Sequence, residues 1–150
     1  MIDYADLSIH DLIYDPVKEQ AGYLFQMSNS HEIYYLPSRY YRAEADLNNP
    51  FRLEICLNTD IEDVKITEDA LKTAGFKYIT HEQDPGWMYT DVFCKYIDGF
   101  KLYVWETKNK GHWHIKIASD VKNINIPVKS IREIQHALRL VGLGEIADKF

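Results

Sequence analysis

Two histidines, His112 and His114, lie one residue apart in the stretch Gly-His-Trp-His-Ile-Lys-Ile that covers residues 111–117. Because residues two apart on a β-strand lie on the same face, the two imidazoles would be close enough to bind one metal ion. A catalytic zinc site also needs a third ligand and usually a carboxylate general base, and the chain contains neither an H-E-x-x-H nor an H-x-H-x-D motif. We therefore predict no metal ion and no cofactor, and we interpret the pair as the solvated side of a strand.

A stretch rich in tyrosine and arginine at residues 32–42 is the second candidate site. Tyrosine and arginine are enriched at binding hot spots, because each covers a large area and keeps a polar tip. A proline and a serine at positions 37 and 38 break the strand, so the residues that follow are expected on a loop. The predicted partner-contact residues are Tyr34, Tyr35, Arg39, Tyr40 and Tyr41. The alternative is that alternate tyrosines only cap the core, with their hydroxyls in water.

A third candidate is the acidic cluster Asp-Ile-Glu-Asp at residues 60–63. Its carboxylates could imitate phosphates to a basic partner or bind a cation, although a solvated loop is the favoured interpretation. The chain has no G-x-S-x-G motif, no phosphate-binding glycine loop, and no cysteine with a histidine nearby in sequence. We therefore predict that the protein is not an enzyme.

The composition is that of a globular protein. The chain has 150 residues, of which 46% are hydrophobic and 27% charged, and this length suits one domain with one core. No apolar run approaches the ~20 residues that cross a bilayer, and the first residues are acidic where a secretory signal would be basic. We expect a cytoplasmic protein with no membrane partner, in which Cys56 and Cys94 are buried free thiols.

The net charge of −6 is unevenly distributed along the chain. Residues 1–64 contain four basic and twelve acidic side chains, a net charge of −8, whereas residues 65–150 contain thirteen basic and eleven acidic ones, a net charge of +2. Phosphate neutralisation needs a clustered positive face, so the overall charge argues against a general nucleic-acid binder. The acidic half is either a surface for a basic protein partner or a solvated face.

Seven segments have the alternation and turn signals of β-strands. They cover residues 7–16, 21–27, 32–36, 52–57, 88–96, 100–106 and 112–118. The last segment is predicted to point three apolar residues at the core, namely Trp113, Ile115 and Ile117. Its opposite face is predicted to carry His112, His114 and Lys116. The first four segments predict a small barrel-like sheet, and the last three predict an antiparallel meander.

Two further segments have helix-start and helix-stop signals. Thr67 can accept a hydrogen bond at a helix start and Gly75 can supply the left-handed closing residue, which predicts a two-turn helix. Ser130 and Glu133 form a capping-box pattern at the start of a C-terminal amphipathic helix. The predicted fold is α+β, with a strand-rich N-terminal lobe, a short capped helix, a three-stranded meander and the C-terminal helix. We expect one domain over residues 1–150, with a strand-rich, acidic sub-lobe at 1–64 and a helix-meander-helix sub-lobe at 65–150.

Three segments of the chain together resemble a group of small proteins found in phages and prophages. That group has a Leu-x-Ile-Gly-Asn-x-Val opening strand, an Ile-Pro-Leu-Thr-Glu-Glu-x-Leu-x-x-x-Gly-Phe helix and a His-Glu-Leu-Gln-Asn-Leu closing helix, in this order. The matching segments here are residues 7–13, 66–76 and 132–142. This sequence departs from the pattern with His10 in place of glycine and Arg132 in place of the closing-helix histidine. The resemblance implies an origin in mobile DNA and carries over no catalytic residues.

Phage genomes are dense in small proteins that bind and block a host protein, so the resemblance implies a non-enzymatic binding protein in the host cytoplasm. We predict that it occupies a surface of a larger host protein and inhibits a defence or nucleic-acid-processing factor, a counter-defence role like that of an anti-CRISPR protein. Two interpretations compete with this prediction. One is a metal-dependent hydrolase that uses His112 and His114, and the other is an accessory protein that binds single-stranded nucleic acid through aromatic and basic residues.

Overall fold

The computed structural model describes residues 2, 4–28, 30–38, 53–57, 60–79, 92–97 and 99–150. The chain divides into two compact units, Met1–Val64 and Lys65–Phe150. Within the residues just given, each unit contains one five-stranded antiparallel sheet, and the second unit ends in helices. The predicted α+β class with a C-terminal helix is confirmed. Within the described part of the chain, no helix is both long and apolar enough to cross a membrane.

The first unit starts with a 3-10 helix, Tyr4–Asp6, and continues with five strands. These are β1 (Leu12–Asp15), β2 (Gln20–Met27), β3 (Glu32–Pro37), β4 (Glu54–Leu57) and β5 (Glu62–Asp63). Their order in the sheet is β4-β3-β2-β1-β5, so among the described strands the β1–β5 pair joins strands that are not neighbours in sequence. The first unit thus contains a short fifth strand, β5, in addition to the four strands predicted in this region.

The turn from β1 to β2 is closed by the carboxylate of Asp15. Its Oδ1 accepts the N–H of Val17 at 3.0 Å and the N–H of Lys18 at 3.2 Å. An aspartate that bonds to backbone amides two and three residues later is a common turn device. The buried end of β1 therefore also fixes the shape of the exposed turn that follows it.

A second aspartate, Asp11, stabilises a turn immediately before β1. The Asp11 carboxylate accepts the N–H of Ser8 at 2.8 Å, and His10 adopts a left-handed φ of 72°. These residues form a turn, which is incompatible with an extended strand. The prediction of a strand from residue 7 was wrong for this reason, and the strand begins at Leu12.

The core of the first unit is built from apolar side chains of the sheet and of the segments that flank it. Its buried members are Ile2, Leu7, Ile13, Leu24, Ile33, Tyr35 and Ile61. Gly22 lies opposite Pro37 in the β2–β3 pairing, and a Cβ at this position would be 2.4 Å from the ring of Tyr35. The missing side chain at Gly22 therefore lets the Tyr35 ring lie close to β2.

The second unit contains the helix α1 (Glu68–Thr73), five strands, and the helices α2 (Ile131–Leu140) and α3 (Gly144–Ala147). The strands are β6 (Lys77–Ile79), β7 (Val92–Ile97), β8 (Phe100–Glu106), β9 (Trp113–Ala118) and β10 (Asn123–Val128). Their order is β10-β9-β8-β7-β6. The predicted three-stranded meander is thus the centre of a larger sheet, which β6 and β10 extend. The predicted strand at 88–96 is described only from Val92 onward.

Both predicted helix caps are present. Thr67 Oγ1 accepts the N–H of Ala70 at 3.1 Å, and Gly75 closes the helix with a φ of 92°. Ser130 Oγ accepts the N–H of Glu133 at 3.3 Å, and the Glu133 carboxylate in turn accepts the N–H of Lys129. The bonds to Thr67 and Ser130 satisfy first-turn amides that have no partner inside the helix, which is why α1 and α2 begin after these residues. The bond from Lys129 to Glu133 ties the residue before the cap to the first turn of α2.

The side chains of β9 alternate between buried and half-buried positions, as the sequence predicts. Trp113, Ile115 and Ile117 are buried, and on the opposite face His114 and Lys116 are half-buried. In the neighbouring strand β8, Leu102 and Val104 pair with Ile117 and Ile115 and are also buried. One face of the second sheet is therefore apolar at its centre, and the other face carries polar side chains on β9.

Candidate functional site

Two adjoining depressions lie beside the turn that connects β1 and β2 in the first unit. One has a volume of about 470 Å³ and is lined by Ile2, Pro16, Val17 and residues 60–63. The other has a volume of about 250 Å³ and is lined by residues of the same turn together with Glu32, Ile55, Cys56 and Asp60. Because Val17 and Asp60 line both depressions, we treat them as one feature, the acidic groove.

Pairing between β1 and β5 brings the acidic cluster at residues 60–63 to this turn. Ile13 pairs with Asp63, and Tyr14 pairs with Glu62. Residues from the two ends of the unit thereby become neighbours. The structure thus places this predicted cluster in the wall of a groove.

Negative charge dominates the acidic groove. Its lining contains the carboxylates of Asp15, Glu32, Asp60, Glu62 and Asp63. Among these lining residues, all of which the structure describes, the single cation is Lys18, whose Nζ lies 2.8 Å from Glu54 Oε2 and 3.0 Å from the carbonyl oxygen of Ile55. The Lys18 charge is therefore engaged by a carboxylate outside the lining. A concave surface with an excess of one charge attracts groups of the opposite charge.

Two aliphatic side chains are exposed in the same groove. Val17 is 75% exposed and Ile55 is 49% exposed, although an isolated valine or isoleucine is more stable when buried. Both lie among carboxylates. A protein contact surface commonly has an apolar centre and a polar rim, and the groove combines exposed apolar side chains with polar ones in this way.

A buried hydrogen-bond network supports the floor of the acidic groove. Tyr35 is fully buried, and its hydroxyl donates to Asp15 Oδ2 at 2.6 Å and accepts from Gln20 Nε2 at 2.9 Å. Burial, and next the bond to Asp15, raise the pKa of the Tyr35 hydroxyl. The side chain stays protonated and holds the Asp15 carboxylate in place. Tyr35, which we predicted as a partner-contact residue, is thus a core residue with a structural role.

Cys56 lines the smaller depression but is a poor nucleophile. Burial, and next the charge of Asp15, raise the pKa of the Cys56 thiol to about 12. Because only the thiolate is strongly nucleophilic, we expect this cysteine to react slowly near neutral pH. Cys56 and Cys94 are both free, as predicted, with Cys94 buried and Cys56 half-buried.

The remaining predicted contact residues divide between the groove and the undescribed part of the chain. Tyr34 is half-buried, lies across from Ile55 in the β3–β4 pairing, and donates its hydroxyl to Glu32 at 3.1 Å. This bond raises the pKa of Tyr34. Tyr34 is therefore a neighbour of the acidic groove. Arg39, Tyr40 and Tyr41 lie outside the described residues.

The histidine pair lies in the second unit, away from any described cluster of metal ligands. The His114 ring stacks on Trp105, with 5.4 Å between ring centroids and 28° between planes, and its Nδ1 is 3.4 Å from Asn125 Oδ1. His112 is exposed at the end of the turn before β9. Across the described ranges, no three histidine, cysteine or carboxylate side chains lie close enough to hold a metal ion.

No protein-family model, curated protein or solved structure matches the chain. The resemblance of residues 7–13, 66–76 and 132–142 to phage proteins therefore stays a prediction from the residues alone. What bears on function is the chemistry of the surfaces that the structure describes, and the acidic groove has the most specific combination of shape, charge and exposed apolar area.

The groove was only partly predictable. The sequence marks the acidic cluster at 60–63 as a candidate surface for a basic partner, although it favours a solvated loop. The contribution of Val17 and Lys18 was missed, because a turn of mixed residues has no local signal of function. The sequence signal for this turn is the Asp-Pro pair at positions 15 and 16, because Asp-Pro favours an exposed turn.

Proposed function

We propose that this protein is a non-enzymatic binding protein whose first unit docks, through the acidic groove, on a basic surface of a larger protein. The observation that carries the proposal is that one concave surface combines the exposed side chains of Val17 and Ile55 with a rim of carboxylates. Such a surface fits a protruding segment with apolar side chains flanked by lysine or arginine.

The charge of the whole first unit supports a basic partner. Residues 1–64 carry a net charge of −8, so the field extends beyond the groove and would speed the encounter with a positively charged surface. Proteins that handle nucleic acids carry such basic surfaces. This agrees with the proposal that the partner is a host defence or nucleic-acid-processing factor, as the resemblance to phage proteins suggests.

The chemistry of the groove favours binding over catalysis. The Cys56 thiol is protonated near neutral pH, and the Asp15 carboxylate is occupied by the Tyr35 hydroxyl and by two backbone amides. Neither group is therefore prepared to act as a nucleophile or as a general base. The groove instead offers fixed charge and exposed apolar area.

Site-specific photo-crosslinking tests this function. A benzophenone amino acid is introduced at Val17 or, as a control, at Val121, which is 86% exposed and lies in the second unit. After illumination in host-cell lysate, we expect one dominant protein adduct from position 17 and none from position 121. The adduct is identified by mass spectrometry, and its partner is then purified for binding kinetics.

The rate of association with the purified partner tests whether the carboxylates of the acidic groove contribute to binding. We expect the double variant Asp60→Lys, Glu62→Lys to slow association with the purified partner about tenfold at low salt, because rim charges act mainly on the association rate. A matched variant with the same charge change in the second unit, Glu68→Lys with Asp120→Lys, should leave the rate within about twofold. Equal adducts from positions 17 and 121, or equal slowing by the two double variants, would sink the proposal.

A further inference from the structure

One face of the second sheet carries basic, amide and aromatic side chains in three neighbouring rows. The first row, across β7 to β10, consists of Tyr96, Lys101, Ala118 and Asn123. The second row, across β6 to β10, consists of Lys77, Cys94, Tyr103, Lys116 and Asn125. Cys94 and Tyr103 are buried in an apolar cluster with Val92. The third consists of Trp105, His114 and Pro127. Because the rows are two residues apart along each strand, all three lie on the same side of the sheet, and we name them the lysine face.

The accessible part of the lysine face is polar and aromatic. Tyr96 is 55% exposed, and Lys101, Asn123 and Asn125 are also exposed. The ammonium of Lys101 lies 5.9 Å from the centre of the Tyr96 ring. Lys116 is half-buried, as are the two rings of the third row. The Tyr96 ring and the Lys101 ammonium are thus neighbours, and the two amides lie on the same face two strands away from Lys101.

The segment that forms most of this face is locally positive. Residues 99–128, all of them described, contain five lysines and two acidic residues, in a chain whose net charge is −6. One of the two acidic residues, Glu106, accepts the N–H of Gly111 at 2.9 Å and lies 3.4 Å from the ammonium of Lys110. These bonds, the one from Gly111 foremost, lower the pKa of Glu106. Five lysines and two carboxylates give the segment a net charge of +3, and two of these lysines, Lys101 and Lys116, lie on the lysine face.

We propose that the lysine face binds single-stranded nucleic acid. The lysines would contact phosphates, the exposed ring of Tyr96 would stack on a base, and the amides of Asn123 and Asn125 would bond to base edges. Strand β9 offers a path of about 20 Å along the face for an extended strand. An acidic polypeptide would also use the lysines, but its carboxylate side chains would not stack on the Tyr96 ring as nucleobases do. This function is separate from that of the acidic groove and lies in the other unit.

Fluorescence anisotropy with a labelled 15-nucleotide oligothymidylate and the full chain tests the proposal. We expect binding at 50 mM salt that weakens about 20-fold at 200 mM, the change for roughly three phosphate contacts on a single strand. The double variant Lys101→Glu, Lys116→Glu should lose binding at least tenfold, and Tyr96→Ala should lose roughly tenfold through the missing stack. The groove variant Asp60→Lys, Glu62→Lys should not weaken binding.

Matched controls keep the result interpretable. The exposed lysines Lys72 and Lys129 lie outside the face, so Lys72→Glu with Lys129→Glu has the same charge change and should bind within about twofold of the parent. Circular dichroism and the thermal midpoint establish that each variant is folded. Absence of binding at 50 mM salt, or equal losses in the two double variants, overturns the proposal. Displacement of the probe by polyglutamate as readily as by unlabelled strand, with Tyr96→Ala unaffected, overturns it in favour of an acidic polypeptide.

Discussion

The hydroxyl of Tyr35 donates a hydrogen bond of 2.6 Å to the carboxylate of Asp15, and both side chains are buried in the first unit. Phenylalanine at position 35 would leave Asp15 Oδ2 without this donor. Loss of one partner of a buried hydrogen bond costs about 1–3 kcal/mol, and more when the other partner is charged. We expect Tyr35→Phe to lower the free energy of unfolding in urea by about 2 kcal/mol.

Tyr34→Phe is the natural control for this measurement. The Tyr34 hydroxyl also donates to a carboxylate, that of Glu32, but at 3.1 Å and in a half-exposed position where water can replace it. We expect a smaller loss of stability than for Tyr35→Phe. Equal losses in the two variants would show that the Tyr35 bond has no special structural role.

The second prediction concerns the reactivity of Cys56. Burial, and next the Asp15 charge, raise its pKa to about 12, so the native protein holds almost no thiolate at pH 8. Alkylation of Cys56 by iodoacetamide should therefore be slow at pH 8 and rise continuously up to about pH 12. A cysteine in an unstructured peptide instead reaches its full rate above a pKa of about 8.5. Mass spectrometry of the Cys56 peptide gives the rates, and rapid native-state alkylation at pH 8 would contradict the expectation.

The raised pKa of Cys56 makes the free energy of unfolding depend on pH in the alkaline range. The unfolded chain releases the Cys56 proton at its ordinary pKa, whereas the native protein holds it up to about pH 12. This contribution to stability is fully present below the ordinary pKa and is lost as the pH rises toward 12. Urea denaturation between those limits should show a smaller loss of stability with pH in Cys56→Ala than in the parent. Parallel curves would argue against the raised pKa.

The third prediction concerns the end of helix α1. Gly75 has a φ of 92°, and a Cβ there would lie 2.5 Å from Nζ of Lys95, which donates to the carbonyl oxygen of Ala74 at 3.4 Å. Burial, and next Lys149, lower the pKa of Lys95. Gly75→Ala should destabilise the protein by about 1–2 kcal/mol, since alanine is strained at positive φ and the ammonium must move.

Substitutions at two other glycines separate the cost of backbone strain from the cost of displacing the Lys95 ammonium. Gly142 has a φ of 83° with nothing within 4 Å of a Cβ, so Gly142→Ala should show only the backbone strain. Gly144 begins α3 with no left-handed φ, and Gly144→Ala should stabilise by about 0.5 kcal/mol. Thermal and urea denaturation of the three variants should give this order of stabilities. A Gly75→Ala variant as stable as the Gly144→Ala variant would refute the account of the helix end.

The fourth prediction concerns the histidine pair. The His114 ring is engaged by Trp105 and Asn125, and a zinc site would need further ligands. We expect calorimetric titration with zinc to give the same weak signal for the parent and for His112→Ala with His114→Ala. Tight, stoichiometric binding that both substitutions abolish would instead support the metal-dependent hydrolase.

The helices were predictable because their signals are local. Thr67 and Gly75 enclose α1 within a few residues, and the Ser130–Glu133 pair defines the start of α2 by bonds that span three positions. β6 was missed because it has only three residues, and β10 because Pro127 interrupts its alternation. Short or interrupted strands are stabilised mainly by their partners, which the local sequence does not show.

The assignment of Tyr34 and Tyr35 required information from other strands. Alternation predicts that one of two adjacent tyrosines faces inward, but it does not say which. The choice depends on Gly22, which leaves room for the Tyr35 ring, and on Asp15, which accepts its hydroxyl. The acidic groove was hidden for the same reason, since the β1–β5 pairing joins residues that are distant in sequence.

Pro127 lies in β10, the outermost strand on its side of the second sheet as far as the chain is described, and pairs with His114. Proline has no N–H and is tolerated in a sheet where its nitrogen points away from the partner strand. The outer edge of β10 therefore lacks one of the donors that an incoming strand would use. Exposed edges are where identical chains join into fibrils, and an interrupted row of donors hinders that addition. We therefore expect Pro127 to disfavour the addition of a further strand at this edge of the second sheet.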